Sequence, residues 1–179
     1  LLGTDEQTSL VLKEKNLLPE LFRLTASPEK SVREEIFSIL SNITAGTPDQ
    51  FEGLLSNPAY VEKIIHTAKN DEPDVRSEAI RALSNTTYDC TPAQIIRILN
   101  NGIYACLLDL LPEEEDDEML ILILKGIKNC LELEEEFNLG DENGIKKFAD
   151  ELKNRAITDC LKELCEHNNN RVLGPARYI

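Results

Sequence analysis

Apolar residues recur along the chain at helical spacing, and the helices they predict come in sets of three. Between Glu29 and Ala45, Ile36, Leu40 and Ile43 fall on one arc of a helical wheel, while Glu35, Ser38 and Asn42 fall on the other within about 60° of one another. The stretch 73–88 divides the same way, with Val75, Ala79 and Leu83 opposite Glu78, Arg81 and Asn85. A third long helix is predicted over 115–134. Two shorter helices precede each long one, near 5–14 and 17–25, 48–56 and 58–69, and 92–101 and 103–111. Farther on, 142–154 and 155–167 are amphipathic, with Phe148, Leu152, Ile157, Leu161 and Leu164 in helical register. A last helix opens near Asn170, and Gly174-Pro175 is expected to interrupt or end it, because proline removes a donor and crowds the preceding turn.

The helix starts carry a repeated signature. Thr4-Asp-Glu-Gln7, Thr47-Pro-Asp-Gln50 and Thr91-Pro-Ala-Gln94 are spaced 43 and then 44 residues apart. In each, the Thr hydroxyl can accept from the third helical N–H while the Gln side chain reaches back to the Thr backbone. Pro48 and Pro92 occupy a first-turn place where a missing N–H costs nothing. A second marker keeps the same step: Ser41-Asn42, Ser84-Asn85 and Lys128-Asn129. Periods of about 40–47 residues belong to the armadillo and HEAT classes, and three helices per period favour armadillo. The expected fold is all-α, a right-handed superhelical armadillo solenoid of about four repeats (1–45, 46–89, 90–138 and 139–179), the last atypical. Leu1-Leu2-Gly3 is neither an initiator Met nor a polar helix start, so the chain reads as a piece of a longer array. Such arrays act through an extended concave surface.

Charge and composition narrow the ligand. With 33 acidic against 19 basic residues, the net charge is −14. Phosphates would be repelled, which argues against direct nucleic-acid binding and permits a basic peptide, although acidity alone reads first as ordinary solvated surface. Cys90, Cys106, Cys130, Cys160 and Cys165 form an odd set without a C-x-x-C pair and read as buried, reduced thiols of an intracellular protein. His66 and His167 lie about a hundred residues apart, outside any zinc-finger spacing. No apolar run is long enough to span a bilayer. Without a Gly-rich phosphate loop or a nucleophile elbow, no enzyme, cofactor or metal is indicated. The acidic runs Glu113–Glu118 and Glu134–Glu136 read as solvated helix segments, the first suited to a helix N-terminus.

Candidate chemistry therefore sits on the polar stripe of the long helices, where Glu35 and Asn42, then Glu78 and Asn85, stand seven residues apart. An Asn amide offers a donor and an acceptor to one peptide unit without reading its side chain, and a nearby carboxylate can take a Lys or Arg. The amides could equally bond to neighbouring repeats and hold the stack together. The Glu at constant offset favours a groove for an extended cationic strand.

Gly3-Thr-Asp-Glu-Gln-Thr8, Ser41-Asn-Ile-Thr-Ala-Gly46, Glu78-Ala79 leading to Ser84-Asn85, and Leu164-Cys-Glu-His-Asn-Asn-Asn170 resemble the C-terminal armadillo repeats of importin α, about the seventh to the tenth. The resemblance implies an adaptor that binds nuclear localisation signals in its groove, shuttles between cytoplasm and nucleus, and joins importin β through an arm upstream of these repeats. It also implies export-receptor contact near the C-terminal end. By position, Asp5, Thr8, Glu35, Ser41, Asn42, Glu78 and Asn85 match the family's minor signal-binding site. The family pattern has a Trp four residues before each Asn; this chain holds Ser38 and Arg81 there and has no Trp. Losing an aromatic beneath a cation removes roughly 0.5–2 kcal/mol per site. Arg81 is expected to neutralise Glu78, Lys125 at the next equivalent place has the wrong sign for a basic ligand, and a weakened minor site follows. The Gly174-Pro175 break bears on the export-receptor contact.

Overall fold

A computed structural model describes residues 9, 12–14, 16–138, 147–154 and 157–179. The expected helix 5–14, the first Thr-x-x-Gln box and the candidate residues Asp5 and Thr8 lie mostly or wholly outside them. All regular structure among the described residues is helical: α1 (Leu17–Leu24), α2 (Lys30–Thr44), α3 (Pro48–Leu55), α4 (Pro58–Asn70), α5 (Pro73–Asn85), α6 (Pro92–Asn100), α7 (Ile103–Leu110), a 3-10 turn (Leu111–Glu113), α8 (Asp117–Glu136), α9 (Lys147–Asn154), α10 (Thr158–Leu164) and α11 (Asn170–Tyr178). The chain divides into two compact units, Leu1–Asp89 and Cys90–Ile179.

Local chemistry sets the helix starts. At α3, Gln50 Oε1 accepts from the Thr47 N–H at 3.1 Å, closing the capping box, and the Thr91–Gln94 box of α6 closes at 3.1 and 3.4 Å. Asn57 caps α4 by accepting from the Ala59 N–H. Asp116 caps α8, with Oδ1 taking the N–H groups of Glu118 and Met119, so the acidic run at 113–118 does start a helix. Gly102, at φ +76°, turns the chain from α6 into α7 in a left-handed conformation that a side chain would strain.

In the first unit α2 and α5 pack along their length and α4 covers α5. Ile36, Leu40 and Ile43 of α2 meet Val75, Ala79 and Leu83 of α5 in the core, all at most 6% exposed. In the second unit α8 is the central helix, flanked by α7 and α11. Tyr104 of α7 meets Phe148 of α9 edge to face, 4.7 Å between centroids.

Three expectations change. First, α11 runs through Gly174-Pro175 to Tyr178. Pro175 forfeits the bond to the exposed Arg171 carbonyl region, but Val172 and Ala176 on either side are buried and hold the helix in place. Second, Glu134 is not solvated. It is 2% exposed, and its carboxylate accepts from the Phe148 N–H at 2.8 Å and the Ala149 N–H at 3.3 Å, at the start of α9. Third, Cys160 and Cys165 are only half-buried; Cys90, Cys106 and Cys130 are buried, and none of the five is in a disulfide. Burial, with Cys90 and Glu134 nearby, pushes the Cys130 thiol well above its ordinary value.

Candidate functional site

The polar stripes of α2 and α5 form one seam within the first unit. The helices run side by side in the same direction, fixed by ion pairs at their N-terminal ends. Arg33 Nη2 and Nε donate to Asp71 at 2.9 and 3.1 Å, Nη2 also reaches Glu72 at 3.2 Å, and Nη1 donates to the Ser27 and Pro28 carbonyls. Lys30 pairs with Asp74. The Arg33 guanidinium holds the Asp71 carboxyl below its usual range.

Toward the C-terminal end lie the predicted binding residues. On α2, Glu35 and Asn42 are exposed and Ser38 half-exposed, and neither the Glu35 carboxylate nor the Asn42 amide has a hydrogen bond or ion pair among the described residues. The two are separated by two helical turns, about 10.5 Å of rise. Ser41 lies just under this stripe, 3% exposed.

On α5 the same pattern is engaged from within. Glu78 Oε2 accepts from the Ser41 hydroxyl at 2.9 Å, and that hydroxyl also lies 2.9 Å from the Ser38 carbonyl, so its one proton is shared between two acceptors. Arg81 Nε stands 3.6 Å from Glu78 Oε1. Asn85 Nδ2 donates to the Ser41 carbonyl at 3.0 Å. The stack-holding role left open for the amides is thus taken by Asn85, which keeps its Oδ1 and one N–H for other partners. Asn42 is turned to solvent. Ser41 is the joint of this network, a role between helices that the motif alone did not show.

The equivalent place in the second unit differs. Lys125 is exposed, and Lys128 of α8 donates to Glu132 at 2.7 Å while its ammonium sits 4.7 Å from the Tyr178 ring centroid. His167 accepts at Nδ1 from the Asn169 N–H and faces Asp117 through Nε2 at 3.5 Å, and Asn169 Nδ2 donates to Asp117 at 2.7 Å. These contacts tie the start of α11 to α8, an inter-helix role for that histidine. Among the described residues no group of three His, Cys, Asp or Glu is placed to hold a metal, and no single helix is long and apolar enough to cross a membrane.

Known proteins bear on this geometry. No protein-family model matches the chain. Importin subunit alpha-4 of Arabidopsis thaliana is 30% identical over 157 residues, covering 87% of this chain, which spans 29% of that relative's length. A designed armadillo repeat protein solved in complex with the peptide (KR)4 superposes with a TM-score of 0.78 at 20% identity, covering 98% of this chain and 67% of the other. A second designed armadillo repeat protein gives 0.76 at 20% identity, with 98% and 68% covered. Helix order, three-helix sets and these likenesses agree: the chain is an importin-α-like array of armadillo repeats.

Proposed function

We propose that this chain is a non-catalytic adaptor segment that binds extended Lys/Arg-rich peptides on the polar stripe of α2 and α5. The observation that carries the reading is the open pair on α2, a carboxylate and an amide on one helix face with no partner among the described residues. The amide can hold a peptide backbone, and Glu35 can take a cationic side chain projecting beside it. The net charge of −14 draws such peptides in. The importin-α-like sequence and the (KR)4 complex of a designed armadillo protein support the same ligand class. The natural ligands would then be nuclear localisation signals. Importin β and an export receptor would be the further partners, and the protein would shuttle between cytoplasm and nucleus.

The test is a titration with a labelled Lys/Arg-rich peptide at low and at moderate salt. Glu35→Gln combined with Asn42→Ala should weaken binding about ten- to a hundredfold, as expected for losing a charge-assisted hydrogen bond. Binding that is undetectable at low salt, or untouched by the double substitution, would sink the proposal. A second reading, a scaffold of the same fold serving another protein partner, is favoured by Ser38 and Arg81, which leave the peptide no aromatic slot.

A further inference from the structure

We infer that Arg81 is a built-in competitor for the ligand's cation: it occupies Glu78 and makes the α2–α5 seam a one-cation site, read through Glu35. This rests on the peptide-binding proposal and sharpens its specificity.

Glu78 is 24% exposed, so one side of its carboxylate meets solvent on the stripe where a peptide would lie, and Arg81, one turn on, is 38% exposed beside it. The Ser41 hydroxyl meets the inner oxygen, Oε2, and the Arg81 guanidinium stands at the outer one, Oε1. A carboxylate with one oxygen bonded inward and the other facing a tethered cation has little left for an incoming one. A second cation brought to Glu78 would also meet the guanidinium charge at close range. Glu35, one repeat earlier at the same offset, has Ser38 where α5 has Arg81, and no cation stands against it among the described residues. The two copies of the motif thus differ in the inward contacts to Ser41 and in the tethered charge, and of these only the charge competes with an incoming cation. A basic peptide would then be read at one position instead of two.

The experiment is a double-mutant cycle on the full chain, titrating the Lys/Arg-rich peptide against wild type, Glu78→Gln, Arg81→Ala and the double variant, with Lys162→Ala on the exposed face of α10 as a control for net charge. Arg81→Ala should tighten binding about tenfold at low salt, as expected for removing a like charge a few ångströms from the ligand in a partly screened setting. Glu78→Gln alone should change it less than about twofold. Adding Glu78→Gln to Arg81→Ala should remove the gain. Lys162→Ala should leave binding within about twofold. Both changed groups are partly exposed and outside the core, so thermal melts should stay cooperative. If wild type binds but Arg81→Ala does not tighten it, or if Lys162→Ala tightens it equally, Arg81 is no competitor and the peptide reading stands without it. The inference falls too if Glu78→Gln costs the same with and without Arg81. If neither wild type nor Arg81→Ala binds, the peptide reading falls and takes this one with it. Binding that appears only in Arg81→Ala would support both.

Discussion

Helices α2 and α5 carry the same seven-residue Glu–Asn pattern on the same side of the same fold, yet one copy is open and the other is closed. Glu35 and Asn42 face solvent unpaired among the described residues, whereas Glu78 is held by Ser41 and Arg81, and Asn85 by the Ser41 carbonyl. The lesson is that spacing along a helix places a side chain on a stripe, and the neighbouring helix decides whether it is free. Ser41, a small residue under the stripe, offers α5 a hydroxyl and a carbonyl at once. In an array of stacked repeats each helix can therefore serve as support for the next, and a recognition motif can be spent on that support.

The comparison holds only if the two helices are alike on their buried sides, and the largest effect tests that. Leu40 of α2 and Leu83 of α5 are 0% and 1% exposed, in equivalent places. Leu40→Ala and Leu83→Ala should each cost about 2–5 kcal/mol of unfolding free energy, transfer and cavity terms together. Denaturant melts measure both. A loss at one helix with almost none at the other would show that they are not two copies of one element, and the contrast between their polar faces would lose its meaning.

A smaller effect separates the polar faces directly. Asn85→Ala removes the hydrogen bond to the Ser41 carbonyl and should cost about 1 kcal/mol, the net worth of an ordinary hydrogen bond. It should not cost much more, because that carbonyl keeps its bond from the Ala45 N–H. Asn42→Ala removes an exposed amide that has no partner among the described residues and should leave stability within about 0.5 kcal/mol. The same melts decide it. Equal costs at the two positions would mean that the open and closed copies do not differ as described.

How much of this was legible in the sequence depends on the range of each interaction. The helices were legible because their signals are local: the Thr47–Gln50 and Thr91–Gln94 boxes act within four residues, and the burial of Ile36, Leu40 and Ile43 follows from helical spacing alone. The charge of Arg81 beside Glu78 was legible for the same reason, at three residues' separation. The grip of Asn85 on Ser41 was not, since it joins residues 44 apart on different helices. Glu134 was misread because it stands in a run of three acids. Its spacing from Ile127 and Cys130, both buried, puts it on the apolar side of α8, and that signal would have found it. Pro175 shows the opposite limit: a strong local rule gave way to the packing of Val172 and Ala176.

The last effect lies at the other end of the seam and sets a condition on the comparison. The parallel register of α2 and α5 is held there by Arg33, Asp71 and Glu72, with Lys30 and Asp74 beside them. The guanidinium of Arg33, then the Glu72 N–H, lower the Asp71 carboxyl below the ordinary value of about 3.9, against a burial effect that raises it. A carboxyl depressed in the folded state contributes stability that is fully present above its unfolded value and is lost as pH falls through the folded one. Unfolding free energy should therefore be insensitive to this group from neutrality down to about pH 4 and decline below that. Asp71→Asn should flatten that part of the decline while lowering stability at neutral pH. Melts of the two proteins between pH 2 and 7 compare the slopes; parallel curves would mean that this pair does not hold the register. The open and closed copies would then owe their difference to Ser41 and Arg81 alone.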